Sequence, residues 1–150
     1  MRSFSLFLLM LFGLLFSGCE SSAGTDPAKL HFDREICERC RMIISDRKHA
    51  AQVINPQNAK RYFFDDIGCV ELWFKEKEIA WANEAIIYVT DYDTGAWINA
   101  RTAFWSTEHF TSMSYGLVAH SDRERIDLSD PYRKVIDYAE VKKRILEMGR

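Results

Sequence analysis

An apolar leader at the amino terminus decides how much of this chain is left to fold. Phe4 to Phe16 is a run of thirteen residues interrupted only by one serine and one glycine. A membrane-spanning helix needs about 20 apolar residues, so the run fits the core of a signal peptide better than a membrane span. Removal of residues 1–18 leaves 132 residues, which suits one compact unit or two very small ones.

The leader ends in small residues followed by a cysteine, Ser17-Gly18-Cys19. This pattern resembles a bacterial lipobox, in which the cysteine becomes the lipid-modified first residue. The alternative is an ordinary secretory signal with an incidental cysteine. Residues 19–30 contain Ser, Gly, Ala and Pro without periodicity, which predicts a tether. We therefore expect an extracytoplasmic protein that is anchored to the membrane by lipid on Cys19 and does not span it.

The composition of the mature chain excludes several classes of protein. Its formal net charge is −3 after loss of the leader, so it lacks the basic excess of a nucleic-acid-binding protein. Its hydrophobic content is too high for a disordered chain, and its few cysteines do not make a disulfide-framework miniprotein. The sequence shows no recognisable Ser/His/Asp arrangement and no Gly-rich phosphate loop.

Local patterns predict an α+β fold, in which two small ββαβ-like units pack as one compact mature domain. The first unit, residues 31–93, carries strong turn chemistry and a helix cap. Its predicted elements are strands at 49–54 and 61–64, a helix capped by Asp65-Asp66 that ends near Lys77, and a strand at 85–89.

The second unit, residues 94–150, begins at the turn signal Asp93-Thr94-Gly95 and is predicted to be ββα-like. Residues 97–105 give a mixed pattern, in which Asn99 could start a short helical turn before Phe104-Trp105, and an extended segment is expected at 115–119. Asp137, with Glu140 three residues later, predicts the start of a carboxy-terminal helix.

The sharpest chemical motif is Cys37-x-x-Cys40-x-Met42. It places two thiols and a thioether within six residues, and such soft ligands select Cu(I) among the common biological metals. A gap of two residues lets one turn bring both cysteine sulfurs to one ion. The motif therefore indicates a copper site.

Three other interpretations of the two cysteines stay open on spacing alone. A structural zinc site needs four ligands, which Cys69 and a histidine would have to complete. A thiol–disulfide oxidoreductase would use Cys37 and Cys40 as its redox pair. A plain structural disulfide suits an oxidising compartment.

Other sulfur and imidazole groups carry weaker signals. Met113 lies in a polar segment of small residues and has no apolar stripe to join. Cys69 flanks the apolar face of the first predicted helix, so we expect a buried structural role for it rather than a ligand role. His31, His109 and His120 lack specific spacing, and we expect them at the surface, although a neutral imidazole could be a further ligand.

Taken in order along the chain, these motifs resemble the nitrous oxide reductase accessory lipoprotein (NosL) family. The resemblance rests on the lipobox cysteine and Cys37-x-x-Cys40-x-Met42, then Tyr62-Phe63-Phe64-Asp65-Asp66, Tyr88-Val89-Thr90-Asp91-Tyr92 and Met113-Ser114-Tyr115-Gly116-Leu117. It extends from Cys19 to about Ala119.

The resemblance implies two small ββαβ-like units, one bound Cu(I), and delivery of that copper to nitrous oxide reductase. It implies Cys37, Cys40 and Met42 as metal ligands from the first motif, and Met113 from the second. Two departures stand out: the family usually has Gly where this chain has Arg41, and Pro and Gly where it has Ser112 and Ser114.

We therefore predict a membrane-tethered extracytoplasmic Cu(I) metallochaperone that passes copper to a cuproenzyme such as nitrous oxide reductase. The enzyme alternative is a thiol–disulfide oxidoreductase, which would give Met42 and Met113 no role. The structural alternative is a lipoprotein whose Cys37 and Cys40 form a disulfide or a zinc site.

Overall fold

The computed structural model describes residues 24–149. The leader, the proposed lipid-attachment residue Cys19 and the first part of the tether lie outside the described residues. Within the described part the chain forms seven strands and two α-helices. The strands are β1 (Ala51–Ile54), β2 (Arg61–Phe64), β3 (Ile86–Thr90), β4 (Trp97–Asn99), β5 (Phe104–Ser106), β6 (Val118–His120) and β7 (Val135–Ile136), and the helices are α1 (Ile67–Glu76) and α2 (Tyr138–Met148).

The first sheet has the order β2-β1-β3-β4, with every neighbouring pair antiparallel. The predicted hairpin is confirmed: β1 pairs with β2 across a turn in which the Asn55 side chain accepts from the N–H of Gln57 at 2.9 Å. Strand β1 is central and buried along its whole length. Strand β4 adds to the far edge of β3, so this sheet continues past residue 93.

Helix α1 follows β2 directly and confirms the predicted cap. The Asp66 side chain accepts from the N–H of Gly68 at 2.9 Å, and the helix ends with Lys77 as its C-cap. Eight consecutive residues from Ile67 to Phe74 are buried. Burial on all faces of this stretch means that α1 packs between other elements and does not lie on the surface.

The second sheet has the order β6-β5-β7 and carries α2. Asp137 caps α2 by accepting from the N–H of Glu140 at 2.9 Å, as predicted. The Tyr138 hydroxyl of α2 donates to the buried Glu71 carboxylate of α1, which joins the two helices. The two-residue strand β7 was not anticipated, because a segment this short carries no periodic signal.

The prediction of an α+β fold is confirmed by these two small sheets with their helices. Residues 24–30, at the end of the expected tether, lie along the first sheet. There the Arg61 guanidinium donates to the carbonyls of Gly24 and Asp26, and Gln52 exchanges hydrogen bonds with the backbone of Ala28. Between residues 24 and 149, no helix has both the length and the apolar content that a membrane crossing requires.

Candidate metal centre

Three cysteine thiols converge at one point beside the first sheet. The sulfur atoms of Cys37, Cys40 and Cys69 all lie within 4.8 Å of one another. Cys37 and Cys69 are buried, and Cys40 is half-buried. All three are free thiols. The cluster therefore combines two buried cysteines with one that is half-buried.

A tight turn presents the first two thiols. Ile36 and Ile43 form an antiparallel bridge on either side of it, and the N–H of Cys37 donates to the Met42 carbonyl at 2.8 Å. The turn closes through Arg41, which has a φ of 64° in the left-handed region. Glycine adopts this conformation without steric cost, which explains why a glycine is expected at this position in the family that the motif resembles.

The third thiol comes from the first turn of α1. The N–H of Glu38 donates to the Phe63 carbonyl at 2.8 Å, so the cysteine turn is fastened to the end of β2. The chain leaves β2, passes the cap at Asp66 and places Cys69 in the first helical turn. Because the turn and the helix start are both attached to the end of β2, Cys69 meets Cys37 and Cys40.

Hydrogen bonding makes Cys37 the acidic member of the cluster. The Cys69 thiol bonds to the Cys37 sulfur and, against burial, helps to lower the pKa of Cys37 to about 5. The backbone N–H groups of Cys40 and Asp65 also lower this pKa. The pKa of Cys69 is raised by its bond to Cys37 and by burial, and that of Cys40 is raised chiefly by burial. One thiolate, held by two thiols, is a ready ligand for a soft cation.

Arg39 connects the cysteine turn to the far end of α1. Its guanidinium forms hydrogen bonds of 2.7 to 3.1 Å with the Glu76 carboxylate, and it also bonds to Cys69 and Tyr115. Its side chain is only 16% exposed. A partly buried positive charge at this place compensates the negative charge of thiolates.

The loop that carries Met113 packs against the start of α1. A Cβ on Gly68 would lie 2.2 Å from the Tyr115 ring, so only glycine leaves room for this ring beside Cys69. Burial raises the pKa of Asp66, whereas the N–H of Gly68, the Thr111 hydroxyl and the N–H of Met113 lower it. The cap of α1 is therefore also an attachment point for the Met113 loop.

The candidate ligands from the sequence fall into two groups. Cys37 and Cys40 lie in the cluster, and Met42, which belongs to the same turn, is 45% exposed. Met113 is partly buried and packs against the core. The part that either thioether plays in metal binding stays a prediction.

Cys69 is the residue whose role the sequence interpretation underestimated. It is fully buried as expected, yet its sulfur belongs to the cluster. Its position as the third residue after the capping Asp66 is the only local signal, because that position fixes where the side chain leaves the helix.

The histidines lie elsewhere. The thiol cluster of the described residues includes none of them. His120 is buried, contrary to the expected surface position, and bonds through Nδ1 to Asp93 at 2.9 Å and through Nε2 to Ser106 at 2.8 Å. This Asp–His–Ser line was not recognised from sequence, since its members are far apart in the chain. Ser106 is fully buried, which does not suit a nucleophile.

The fold and the cluster define a small α+β protein with a three-thiol centre suited to a soft metal ion. A family model, NosL, matches residues 27–124. The chain therefore belongs to the NosL family, as its motifs suggested. No curated protein matches the chain. Family membership and the thiol cluster together point to copper binding, and the family consists of copper-binding accessory proteins that are not known as enzymes.

Proposed function

We propose that this protein is a Cu(I) metallochaperone, anchored outside the cytoplasmic membrane by lipid on Cys19, which passes its copper to a cuproenzyme such as nitrous oxide reductase. The observation that carries the proposal is the convergence of three free thiols within 4.8 Å. Thiolates prefer Cu(I), and three of them match the low coordination number that transfer requires.

The ion is held by Cys37, Cys40 and Cys69, with the thioethers of Met42 and Met113 as additional, weaker ligands. Cys40 is half-buried and Met42 is exposed, so a partner's ligands can approach from this side. An incoming ligand forms its bond to copper as a sulfur of this site leaves. Cys37 and Cys69, which are buried, release the ion last.

Anaerobic titration with Cu(I) against a competing chelator tests the binding step. We expect one ion per wild-type protein and a large loss of affinity in a Cys37→Ser/Cys40→Ser variant that keeps the native circular dichroism spectrum. Equal affinity of the two proteins would contradict the proposal. Stoichiometric zinc that resists chelators in the freshly purified reduced protein would favour the structural alternative.

The thioethers are tested by replacing methionine with leucine, a swap that conserves volume. Met42→Leu and Met113→Leu are each expected to weaken Cu(I) binding or to speed its transfer to a chelator. Met148→Leu is the matched control, because Met148 is partly buried like Met113 but lies at the end of α2. Identical behaviour of all three variants would remove both thioethers from the ligand set.

Delivery is tested by mixing the copper-loaded protein with copper-free nitrous oxide reductase. Transfer must be faster than the loss of copper to a chelator of equal affinity, since a chaperone works through contact with its client. The anchor is tested separately with Cys19→Ala, which should move the protein from the membrane fraction to the soluble extracytoplasmic fraction. An unchanged distribution would contradict the lipid anchor.

A further inference from the structure

We propose that the sulfur cluster is also a redox switch, in which an external disulfide oxidises Cys37 and Cys40 to a disulfide and thereby turns copper binding off. The switch is built from three free thiols that lie together and differ in exposure. It rests on the proposed function in one respect, since the cluster must be the copper site if the disulfide is to control copper.

The cysteine turn already brings two of the thiols close to disulfide geometry. The sulfurs of Cys37 and Cys40 lie within 4.8 Å of each other, and a disulfide bond is about 2.0 Å long. The N–H of Arg41 donates to the Cys37 carbonyl at 3.1 Å, which closes the turn around residues 38–40. A turn holds residues three apart within about 7 Å between Cα atoms, close to the separations that a disulfide spans. Rotation of the two side chains is therefore the main movement that closure requires.

Cys37 is the partner of Cys40 because its sulfur is the shared hydrogen-bond partner in the cluster. The thiols of Cys40 and Cys69 both hydrogen-bond to it. Cys69 differs from the other two because it comes from the first turn of α1, where the helix fixes its backbone. Cys37 and Cys40 share one short turn instead. The disulfide therefore belongs to the pair within the turn, and Cys69 stays a free thiol.

The difference in exposure sets the order of the reaction. Cys37 and Cys69 are 0% exposed, whereas Cys40 is half-buried, so an external disulfide meets Cys40 first. The Cys40 sulfur attacks one sulfur of the external disulfide and forms a mixed disulfide, and the first external thiol leaves. The Cys37 sulfur then attacks the Cys40 sulfur, and the second external thiol leaves.

These two steps balance in atoms and electrons. Cys37 and Cys40 together lose two electrons and two protons and gain one sulfur–sulfur bond. The external disulfide takes up the electrons and the protons and ends as two thiols. The oxidant is therefore an organic disulfide, for which oxidised glutathione serves as the probe.

The disulfide removes two of the three sulfur ligands that the copper site offers. Thiolate is the form of cysteine that binds metal, and a disulfide sulfur no longer carries that charge. The oxidised cluster keeps only the thiol of Cys69, which is buried. Coupling between two binding events is reciprocal, so bound Cu(I) in turn protects Cys37 and Cys40 from the oxidant.

The test uses the Cys19→Ala protein, so that only the three cluster thiols are counted. The reduced, copper-free protein is incubated with oxidised glutathione, quenched with acid, unfolded, alkylated and analysed by mass spectrometry of its peptides. We expect the loss of two thiols, a cross-link between the peptides of Cys37 and Cys40, and an alkylated Cys69. Three remaining thiols, a disulfide that includes Cys69, or a stable glutathione adduct on Cys40 would each overturn the proposal.

Cys40→Ser tests the order of the reaction. The two thiols that remain are buried, so their reaction with oxidised glutathione should be at least about tenfold slower than that of the parent. Cys69→Ser is the matched control, because it removes a buried cluster thiol but keeps the pair in the turn, and it should still form the disulfide. Equal rates for Cys40→Ser and the parent would overturn the role of Cys40 as the entry point.

If either serine disturbs the fold, the order is read from the parent protein. Brief alkylation of the native, copper-free protein with iodoacetamide should modify Cys40 before Cys37 and Cys69. Earlier modification of Cys37 or Cys69 would contradict the assigned order.

A final measurement relates the disulfide to copper. The oxidised protein should bind Cu(I) at least about 100-fold more weakly than the reduced protein in chelator competition. One equivalent of Cu(I) should also protect the thiols of the reduced protein from oxidised glutathione. Equal Cu(I) affinity of the two forms would overturn the switch. Failure of the reduced protein to bind Cu(I) is a different result, which overturns the proposed function, since disulfide formation is measured without copper.

Discussion

Single residues decide what the sulfur site can hold. Cys37 and Cys40 were predictable as a pair, because a gap of two residues lets one turn present both thiols. Cys69 was not, because it follows Cys40 by 29 residues and joins the cluster only after β2 and α1 have packed. Its contribution as a third ligand is the most direct question at this scale.

The first prediction concerns Cys69→Ser. A serine fills almost the same volume but offers a hydroxyl, which is a poor ligand for Cu(I). Removing a residue that only hydrogen-bonds to a metal ligand costs about 10–100-fold in metal affinity. Because Cys69 is proposed as a ligand itself, we expect its replacement to lower the Cu(I) affinity at least about 100-fold. Chelator competition measures it. A variant with normal Cu(I) affinity and reduced thermal stability would restore the purely structural role for Cys69.

The second prediction concerns Arg41, one of the three positions where this chain departs from the family pattern. Two of these positions carry glycine in the family pattern, and at both the backbone of this chain is in the left-handed region: φ is 64° at Arg41 and 59° at Ser114. A residue other than glycine costs about 1–2 kcal/mol in this conformation. Arg41→Gly should therefore raise the free energy of unfolding by about 1 kcal/mol in denaturant titration.

Arg34→Gly is the control for Arg41→Gly. Arg34 is also an exposed arginine in this amino-terminal segment, but it is not among the residues with positive φ. Here glycine only adds disorder to the unfolded chain, so this variant should be slightly destabilised. If Arg41→Gly lowered the free energy of unfolding as much as Arg34→Gly does, the left-handed backbone at residue 41 would not explain why the family has glycine there.

At the scale of elements, the start of α1 organises the whole site. Its cap residue Asp66 faces the Met113 loop, its second residue Gly68 leaves space for Tyr115, and its third residue Cys69 supplies a thiol. The helix and its cap were predictable from the sequence, since capping is a local interaction. The packing of the Met113 loop on the first turn was not, because nothing local in residues 107–117 specifies a distant neighbour.

The third prediction follows from the contact between Gly68 and Tyr115. In Gly68→Ala the new methyl group would lie 2.2 Å from the tyrosine ring, so the Met113 loop must move. Overpacking of this kind costs about 1–3 kcal/mol. We also expect weaker Cu(I) binding if Met113 is a ligand. The double variant Gly68→Ala/Tyr115→Ala should recover part of the lost stability in a double-mutant cycle, and simple additivity would refute the contact.

At the scale of the whole molecule, Asp91 connects the two sheets. It follows β3, forms a parallel bridge with Ala119 of β6 and accepts from the N–H of Ser121 at 3.2 Å. Burial alone would raise its pKa, but bonds from Ser121, the N–H of Asp93 and the N–H of Thr94 lower it below the ordinary value. The charged form of Asp91 therefore stabilises the junction between the sheets.

The fourth prediction is the pH dependence that results from Asp91. A carboxyl whose folded pKa is depressed adds stability above its unfolded pKa, and this stability is lost as the pH falls through the folded value. Asp91→Asn should lower the free energy of unfolding by about 1–3 kcal/mol at neutral pH. The difference from wild type should shrink below pH 3.8, the ordinary value for Asp. A difference that is constant with pH would exclude this mechanism.

The sequence by itself determined the local parts of this protein: the β-hairpin, the capped helices α1 and α2, and the turn that holds Cys37 and Cys40. Each depends on residues that are neighbours in the chain, where turn, cap and periodicity rules apply. The tertiary structure alone decided that Cys69 completes the sulfur cluster and that the Met113 loop packs on the first turn of α1. The physical reason is that these groups meet through packing of distant segments, and side chains far apart in sequence leave no periodic or local signal of where they will meet.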